Sequence, residues 1–174
     1  MGDPILRTKC DHVVNPSSPA IRVVADDLQE TLEDVTARFG FGRALSGPQI
    51  GAPVRLVHMA HAEHPFLINP EIEDVGPKDF FVCNDCFSFP DLLVRVQRSY
   101  QIKVKFTDLR GQEHLMEVEG PQAELLQHEL DHLDGVLAVD RADGLDPFFY
   151  REEWNKHHPD DSRLGEPFNR MEIV

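Results

Sequence analysis

The stretch LLQHELDHLDG, residues 125–135, contains two histidines four positions apart, with a glutamate directly after the first. In an α-helix, side chains at positions i and i+4 lie one above the other on the same face. His128 and His132 can therefore present imidazole nitrogens to a single metal ion. Glu129 is placed to reach a metal-bound water without binding the metal itself. This HExxH pattern predicts a helical metal site, and it is shared by unrelated classes of hydrolase.

The sequence around this motif predicts the fold class. Pro121 suits a first helical turn, and Gly135 suits the left-handed residue that ends a helix. An earlier amphipathic helix is predicted over residues 20–40, and the segment GRALSGPQIGAP that follows it is predicted to be a loop. Residues 92–120 are rich in β-branched residues around a turn at residues 108–111, which predicts two strands joined as a hairpin. Strands followed by a packed helix indicate an α+β fold, with antiparallel sheets packed around a central HExxH helix.

The composition is typical of one globular domain. The chain has 174 residues, and the 41% that are hydrophobic are enough for a single core. We therefore expect one catalytic domain over residues 1–174, with a variable acidic C-terminal tail over residues 146–174. No apolar run is long enough to span a bilayer, and the first residues have no signal-peptide core. Three irregularly spaced cysteines do not form a disulfide framework, so we expect a cytoplasmic protein without a membrane partner.

The charge of the chain bears on its partners. The formal net charge is −14. A strongly acidic protein is repelled by phosphate backbones, so we expect no nucleic-acid partner.

The third metal ligand decides which chemistry the helix supports. One group of metalloproteases supplies a third histidine six residues after the second, but this chain has Ala138 there. A second group uses a downstream glutamate, and Glu152 lies twenty residues after His132. The third candidate is a cysteine in the segment CNDCFSFP, which contains Cys83 and Cys86.

The two cysteines allow two kinds of site. A closed site of two cysteines and two histidines is typical of structural zinc, but it would leave Glu129 without a role. One cysteine and two histidines leave the fourth position open for water, which is the catalytic arrangement. We therefore favour Cys86 as the third ligand, and expect Cys83 to be a buried apolar neighbour.

Several motifs in order resemble those of the peptide deformylases. The resemblance covers about four fifths of the chain, from GDPILR near the N-terminus to HLDGVLAVDR at Arg141. Between these ends it includes the motifs GRALSGPQIG, LINPEI, NDCFS and QHELDH. The last motif alone is shared with other enzymes, but the glutamine loop, the cysteine motif and the metal helix together are specific to this family.

The resemblance implies a role for each matching residue. The metal ligands would be Cys86, His128 and His132. Glu129 would be the general acid and base, and Gln49 and the backbone N–H of Phe87 would stabilise the oxyanion. The cofactor would be one divalent metal ion, ferrous iron natively, with zinc, nickel or cobalt also able to occupy the site.

The resemblance also implies the reaction and the partners. The protein would remove the N-formyl group from N-formylmethionyl or other N-formyl peptides and release formate. Its partners would be N-formylated nascent peptides. Some bacterial members dock on ribosomes through a basic C-terminal extension; here the segment from Arg151 onward has more acidic than basic residues. We therefore expect no ribosome docking through this tail.

The substrate pocket is where the sequence departs from the family. The residues expected to line it are Arg43, Ala44, Leu45, Glu124 and Leu125. Family members place mostly apolar residues at the positions of Arg43 and Glu124. These two charges either pair across the pocket floor or point to solvent, because an unpaired buried charge is costly. We predict an altered pocket for which formyl-methionine is not the best substrate.

Other departures lie beside the expected peptide channel. Asn84 and Asp85 stand where the family has Glu-Gly, and Leu93 stands where some members have a peptide-binding arginine. Ala44 replaces a glycine and would narrow the channel. Two alternatives to the deformylase interpretation remain: a zinc endopeptidase using His128, His132 and Glu152, and a non-catalytic deformylase-like binding protein.

Overall fold

The computed structural model describes residues 1–157, so part of the predicted tail over residues 146–174 lies outside the described residues. All strand pairs are antiparallel. The strands within these residues are β1 (Ala44–Ser46), β2 (Leu56–Met59), β3 (Phe66–Val75), β4 (Asp79–Asn84), β5 (Leu92–Ser99), β6 (Gln101–Thr107), β7 (Glu113–Glu119) and β8 (Phe148–Tyr150). The helices are α1 (Pro19–Phe39), α2 (Gly120–Leu133) and α3 (Arg151–His157). In the part of the chain that the structure describes, one sheet has five strands in the order β1-β2-β3-β6-β7, and the other has three in the order β4-β5-β8.

The HExxH helix α2 lies between the two sheets. It contacts β1, β6 and β7 of the first sheet and β5 of the second. Leu126, Leu130 and Leu133 are buried along it, as their helical spacing predicts. The predicted fold class, α+β with antiparallel sheets around a central HExxH helix, is confirmed.

Both ends of α2 have the residues that the sequence indicated. Pro121 lies in the first turn. Gly135 follows the last turn with a φ of 73°, and a Cβ there would lie 2.6 Å from the carbonyl oxygen of Arg7. Only glycine satisfies both the backbone angle and the close approach. The N-terminal segment can therefore pack directly against the end of the metal helix.

Two arginines hold α2 against its neighbours. Both contact Asp131, which lies between His128 and His132 on the helix. Arg98 Nη1 of β5 lies 2.6 Å from Asp131 Oδ2, and Arg141 Nη2 lies 2.7 Å from Asp131 Oδ1. Asp131 and Arg98 are both buried. A buried carboxylate held by two guanidiniums restricts rotation of the helix about its axis. This restraint keeps the histidine face of α2 in one orientation.

The predicted hairpin and first helix are also present. β6 and β7 flank a turn in which the Asp108 carboxylate accepts hydrogen bonds from the N–H groups of Arg110 (2.8 Å) and Gln112 (2.9 Å). α1 begins after Ser18, whose side chain accepts from the N–H of Ile21, and ends at Gly40 with a φ of 75°. Its buried face covers β1 and β2.

Two local features differ from the sequence prediction. The segment GRALSGPQIGAP was expected to be a loop, but it contains the short strand β1 and a 3-10 turn over Gly47–Ile50. Cys83 is half-buried on β4 rather than fully buried. Within residues 1–157, none of the helices combines the length and apolar character needed to cross a membrane.

Candidate active site

Three potential metal ligands meet between α2 and the cysteine loop, residues 85–91, which joins β4 to β5. Cys86 lies two residues beyond the end of β4, and His128 and His132 lie one turn apart on α2. The ligand atoms of these three residues all lie within 4.8 Å of one another, and Cys86 Sγ is 3.2 Å from His132 Nε2. Ligands held about 2.0–2.3 Å from one ion lie roughly 3–4 Å apart. The side chains therefore need only small adjustments to bind a common ion.

Burial sets the protonation states of these ligands. It lowers the pKa of His128 well below its usual value and that of His132 to about 4. Both imidazoles are therefore neutral at neutral pH, as metal ligands must be. Burial also raises the pKa of the Cys86 thiol to about 12, although the N–H of Ser88, 3.4 Å from Sγ, partly opposes the effect. Without a nearby cation, the thiolate is costly to form.

Buried polar atoms without a hydrogen-bond partner are concentrated at this site. Among the described residues they include Nδ1 of His128, Nδ1 of His132 and Oε2 of Glu129. An unsatisfied buried polar atom costs about 1–3 kcal/mol, so the unpaired Oε2 of Glu129 indicates that a ligand or water binds beside it. The Nδ1 atoms do not bear on the ion, because His132 faces Cys86 through Nε2. The donor set of one sulfur and two nitrogens fits a divalent transition metal.

Metal uptake by the metal-free protein is expected to strengthen with pH. Binding requires Cys86 to lose a proton from a thiol whose pKa is about 12, whereas the imidazole of His132, with a pKa of about 4, is already neutral. Each ion bound releases at least one proton, so affinity should rise at least about tenfold per pH unit between pH 6 and 8.

Competition against a chromophoric chelator, corrected for the chelator's own protonation, measures this slope. An affinity independent of pH over this range would show that the ligands are already ionised without metal, contrary to the burial of Cys86.

Glu129 lies beside the metal ligands with an altered acidity. Its side chain is buried, and burial together with the nearby Glu124 carboxylate raises its pKa to about 8. A hydrogen bond with the Ser46 side chain and the charge of Arg43 act in the opposite direction. A carboxyl group with a pKa near neutrality can both accept and donate a proton at working pH.

Gln49 is oriented by Ser46, a residue that the sequence interpretation did not include. Gln49 Oε1 accepts from the backbone N–H and the hydroxyl of Ser46, both at 2.8 Å. The carboxamide nitrogen is therefore turned toward the metal ligands, with Nε2 3.8 Å from Cys86 Sγ. The S-x-x-Q spacing at residues 46–49 is a capping-box signature that could have identified this contact.

A small cavity of about 40 Å³ opens beside the metal ligands. Of the five expected pocket residues, Arg43, Ala44, Glu124 and Leu125 line it. Leu45 does not: neighbouring side chains alternate across strand β1, and Leu45 is buried in the cluster under α1. The cavity is also lined by Phe41, Gly42, Gln49, Asp85, Cys86, Phe87, His128 and Glu129.

The two charged residues of the cavity form an ion pair. Arg43 Nη2 lies 2.8 Å from Glu124 Oε2, and Arg43 Nη1 donates to the carbonyl oxygen of Pro121 at 3.1 Å. Asn84 Nδ2 donates to the other oxygen of Glu124. Glu124 is buried, so this carboxylate is compensated by two donors rather than by solvent.

The family is decided by comparison of the whole chain with known proteins. The family profile described as Polypeptide deformylase matches residues 1–148. The chain belongs to the polypeptide deformylase family. A peptide deformylase of Thermotoga sp. (strain RQ2) is 37% identical over 143 residues, which cover 80% of this chain and 82% of that protein.

Solved deformylase structures share the fold. The crystal structure of peptide deformylase from Thermotoga maritima has a TM-score of 0.75 and 34% identity, covering 83% of this chain and 95% of that one. A Met-Ala-Ser-bound peptide deformylase from Acinetobacter baumannii has a TM-score of 0.72 and 27% identity, covering 81% of this chain and 94% of that one. The resemblance to peptide deformylases is thereby confirmed.

The residue needed by the endopeptidase alternative lies elsewhere. Glu152 is on α3, where its side chain is 84% exposed and lies 3.2 Å from Lys156 Nζ. It is not part of the group of metal-ligating side chains found in residues 1–157. Leu93, expected beside the peptide channel of this deformylase, is fully buried in β5 and pairs with Phe149 of β8. It does not line the cavity.

The first residue of α3 holds the cysteine loop of this deformylase in place. Arg151 Nε donates to the carbonyl oxygen of Pro90 at 2.7 Å, and Nη2 lies 3.2 Å from Asp85 Oδ2. The guanidinium also lies 5.1 Å from the centre of the Phe41 ring. Asp85 precedes Cys86 directly. Arg151 therefore connects both sides of the cavity mouth, although it lies beyond the residues that match the family profile.

Replacing Arg151 with glutamine is expected to lower the free energy of unfolding by about 1–3 kcal/mol. The change leaves a partly buried carbonyl and carboxylate without their donor. Urea unfolding of the two proteins measures the difference. Lys156→Gln, which removes only exposed ion pairs on α3, is the matched control and should have a smaller effect. Equal effects would show that Arg151 is an ordinary surface residue.

Proposed function

We propose that this protein is a metal-dependent hydrolase that removes the N-formyl group from N-formyl peptides and releases formate. The convergence of Cys86, His128 and His132 on one point, with Glu129 buried beside them, carries the proposal. Membership of the polypeptide deformylase family agrees with this chemistry.

The proposed ligands are one thiolate and two neutral imidazoles. Cys86, His128 and His132 would hold a divalent ion with one position left open, and the ion would supply polarisation of a carbonyl and a lowered pKa for water. Ferrous iron is the ion proposed for the native protein, and zinc, nickel and cobalt are the proposed substitutes. A thiolate beside ferrous iron would make the activity sensitive to oxygen.

Glu129 is proposed to move the proton in the reaction. It accepts a proton from the attacking water and passes it to the leaving amine, so that the formyl C–N bond is replaced by a C–O bond. The products are formate and a free N-terminal amine. Burial raises the pKa of Glu129 in the metal-free protein, and a cation bound beside it would lower that pKa again, toward the range in which a carboxylate can accept a proton.

Gln49 and Phe87 are proposed to stabilise the oxyanion. The carboxamide of Gln49 is fixed by Ser46, which leaves its N–H groups available on the side of Cys86. The backbone N–H of Phe87 would be the second donor. Donors held in place before the reaction stabilise developing negative charge without reorganisation.

The substrate class follows from the related structures. Met-Ala-Ser is bound by the Acinetobacter baumannii relative, and we propose formylated peptides of this kind, at the ends of nascent chains, as partners. The proposed side-chain pocket is formed by Arg43, Ala44, Glu124 and Leu125. We further propose one catalytic domain over residues 1–174 that acts in the cytoplasm without binding nucleic acid, membranes or the ribosome through its tail.

Formate release from formyl-Met-Ala-Ser tests the proposal. The protein would be purified without oxygen and loaded with iron or cobalt, and its metal content would be measured before the assay. Formate above the metal-free control is expected on this peptide or on analogues with other first residues. No formate from any formylated peptide, by protein that contains metal, would favour the non-catalytic binding protein.

A further inference from the structure

Given the deformylase activity proposed above, we infer that this site prefers substrates whose first side chain carries an oxygen hydrogen-bond acceptor. Formyl-serine, formyl-threonine and formyl-asparagine peptides belong to this class, and formyl-methionine peptides do not. The Arg43–Glu124 ion pair in the cavity beside the metal ligands is the basis of this inference.

The acidic half of the pair is already satisfied by protein. Glu124 Oε2 accepts from Arg43, Oε1 accepts from Asn84, and only 7% of the Glu124 side chain is exposed. A substrate donor such as a lysine side chain would have to displace one of these contacts. The cavity therefore does not select for basic residues.

Arg43 has more N–H donors than its contacts with described residues use. A guanidinium carries five N–H groups. Arg43 makes two hydrogen bonds to other described residues, from Nη1 to Pro121 and from Nη2 to Glu124. Its side chain is 28% exposed and lines the cavity. The remaining N–H groups favour an oxygen acceptor on the substrate. Because Glu124 neutralises the charge of Arg43, an uncharged hydroxyl or amide suits the cavity better than a carboxylate.

Further hydrogen bonds on the side away from the cavity hold the Arg43–Glu124 pair in position. Asn84, which holds Glu124, accepts at its Oδ1 from Arg98 Nη2 at 3.2 Å. Arg98 is itself held by Asp131 of α2. Displacing Glu124 would thus break contacts in a buried polar network, which is costly. The substrate must adapt to the pair.

Methionine matches the polar groups of this cavity poorly. Its thioether is a weak acceptor, so a bound methionine would cover the Arg43 N–H groups without replacing their hydrogen bonds to water. A site built around polar groups discriminates against substrates that leave those groups unpaired.

The test compares kcat/KM for four formylated tripeptides that differ only in the first residue: methionine, norleucine, serine and asparagine. We expect the serine or asparagine peptide to exceed the methionine and norleucine peptides by at least about tenfold. Calorimetric binding of the deformylated products should follow the same order, which gives a readout that does not depend on turnover. A methionine peptide that is equal or better in both assays would overturn the inference and leave the deformylase activity intact.

A paired variant reverses the expected preference. In Arg43→Leu/Glu124→Leu both charges are removed together, so neither is left unpaired, and methionine and norleucine peptides should become the better substrates. The control is Lys103→Leu/Glu117→Leu, an exposed cross-strand pair that does not line the cavity. It should keep the original order. Urea unfolding and metal content would establish that each variant is folded. If the paired variant does not fold, the ranking of the four peptides by kcat/KM in the unmodified protein still tests the inference.

The experiments distinguish an error in the deformylase activity from an error in the substrate preference. If metal-containing protein releases no formate from any of the four peptides, the deformylase activity is wrong and the inference falls with it. If formate is released but the paired variant keeps the original order, the ion pair does not set the preference.

Discussion

Replacing Cys86 with alanine is expected to remove both metal binding and formate release. Cys86 is the only sulfur in the group of three ligands, and its loss leaves two imidazoles on one helix. Even the loss of a residue that merely orients a metal ligand costs about 10–100-fold in affinity or activity, so the loss of the ligand itself should exceed 100-fold. Metal content after dialysis and formate release measure the two effects.

Cys83→Ala is the matched control for this change. Cys83 lies three residues away on β4, is half-buried, and is not part of the ligand group. Its replacement should keep metal binding and activity. If Cys86→Ala retained its metal instead, the site would have a different third ligand, as in the endopeptidase alternative.

Replacing Glu129 with glutamine is expected to lower kcat by about 10²–10⁴-fold while metal binding is retained. The two side chains have nearly the same shape, so the helix and the three ligands should be undisturbed. Glutamine cannot accept the proton of water or return one to the leaving amine. The buried position of Glu129, next to the ligands and hydrogen-bonded to Ser46, makes solvent an ineffective replacement.

Glu152→Gln provides the control for Glu129. It is the same chemical change on an exposed residue of α3, and formate release should be unaffected. Substantial activity in the Glu129 variant would show that another group moves the proton. Loss of metal from that variant would show that Glu129 acts in binding rather than in proton transfer.

The metal helix could be predicted from the sequence because its geometry is local. The spacing of His128 and His132 fixes their common face as soon as the segment is helical. Cys86 could be predicted only from chemistry, because it lies far from the helix in sequence. The glutamate of HExxH has a role only if the fourth metal position is open, which requires one cysteine ligand rather than two. The donor group of the structure contains the same three residues.

The surroundings of the site depend on contacts that no local pattern encodes. The sequence left open whether Arg43 and Glu124 pair or point to solvent, because the answer depends on how β1 and α2 approach each other. Leu45 was assigned to the pocket although its neighbour Ala44 occupies that side of the strand. Arg151 contacts the cysteine loop across a large separation in sequence. No feature of the sequence around Arg151 distinguishes this residue from a surface arginine.

The position of the ligands on separate layers has a consequence for the motions of the whole domain. Cys86 follows β4 of the three-stranded sheet, whereas His128 and His132 lie on the helix that directly follows β7 of the five-stranded sheet. An ion bound to all three would add a cross-link between layers that the Arg98–Asp131 and Asn84–Glu124 contacts already join. Amide hydrogens along β4, β5 and α2 should therefore exchange with solvent more slowly when metal is bound than without it.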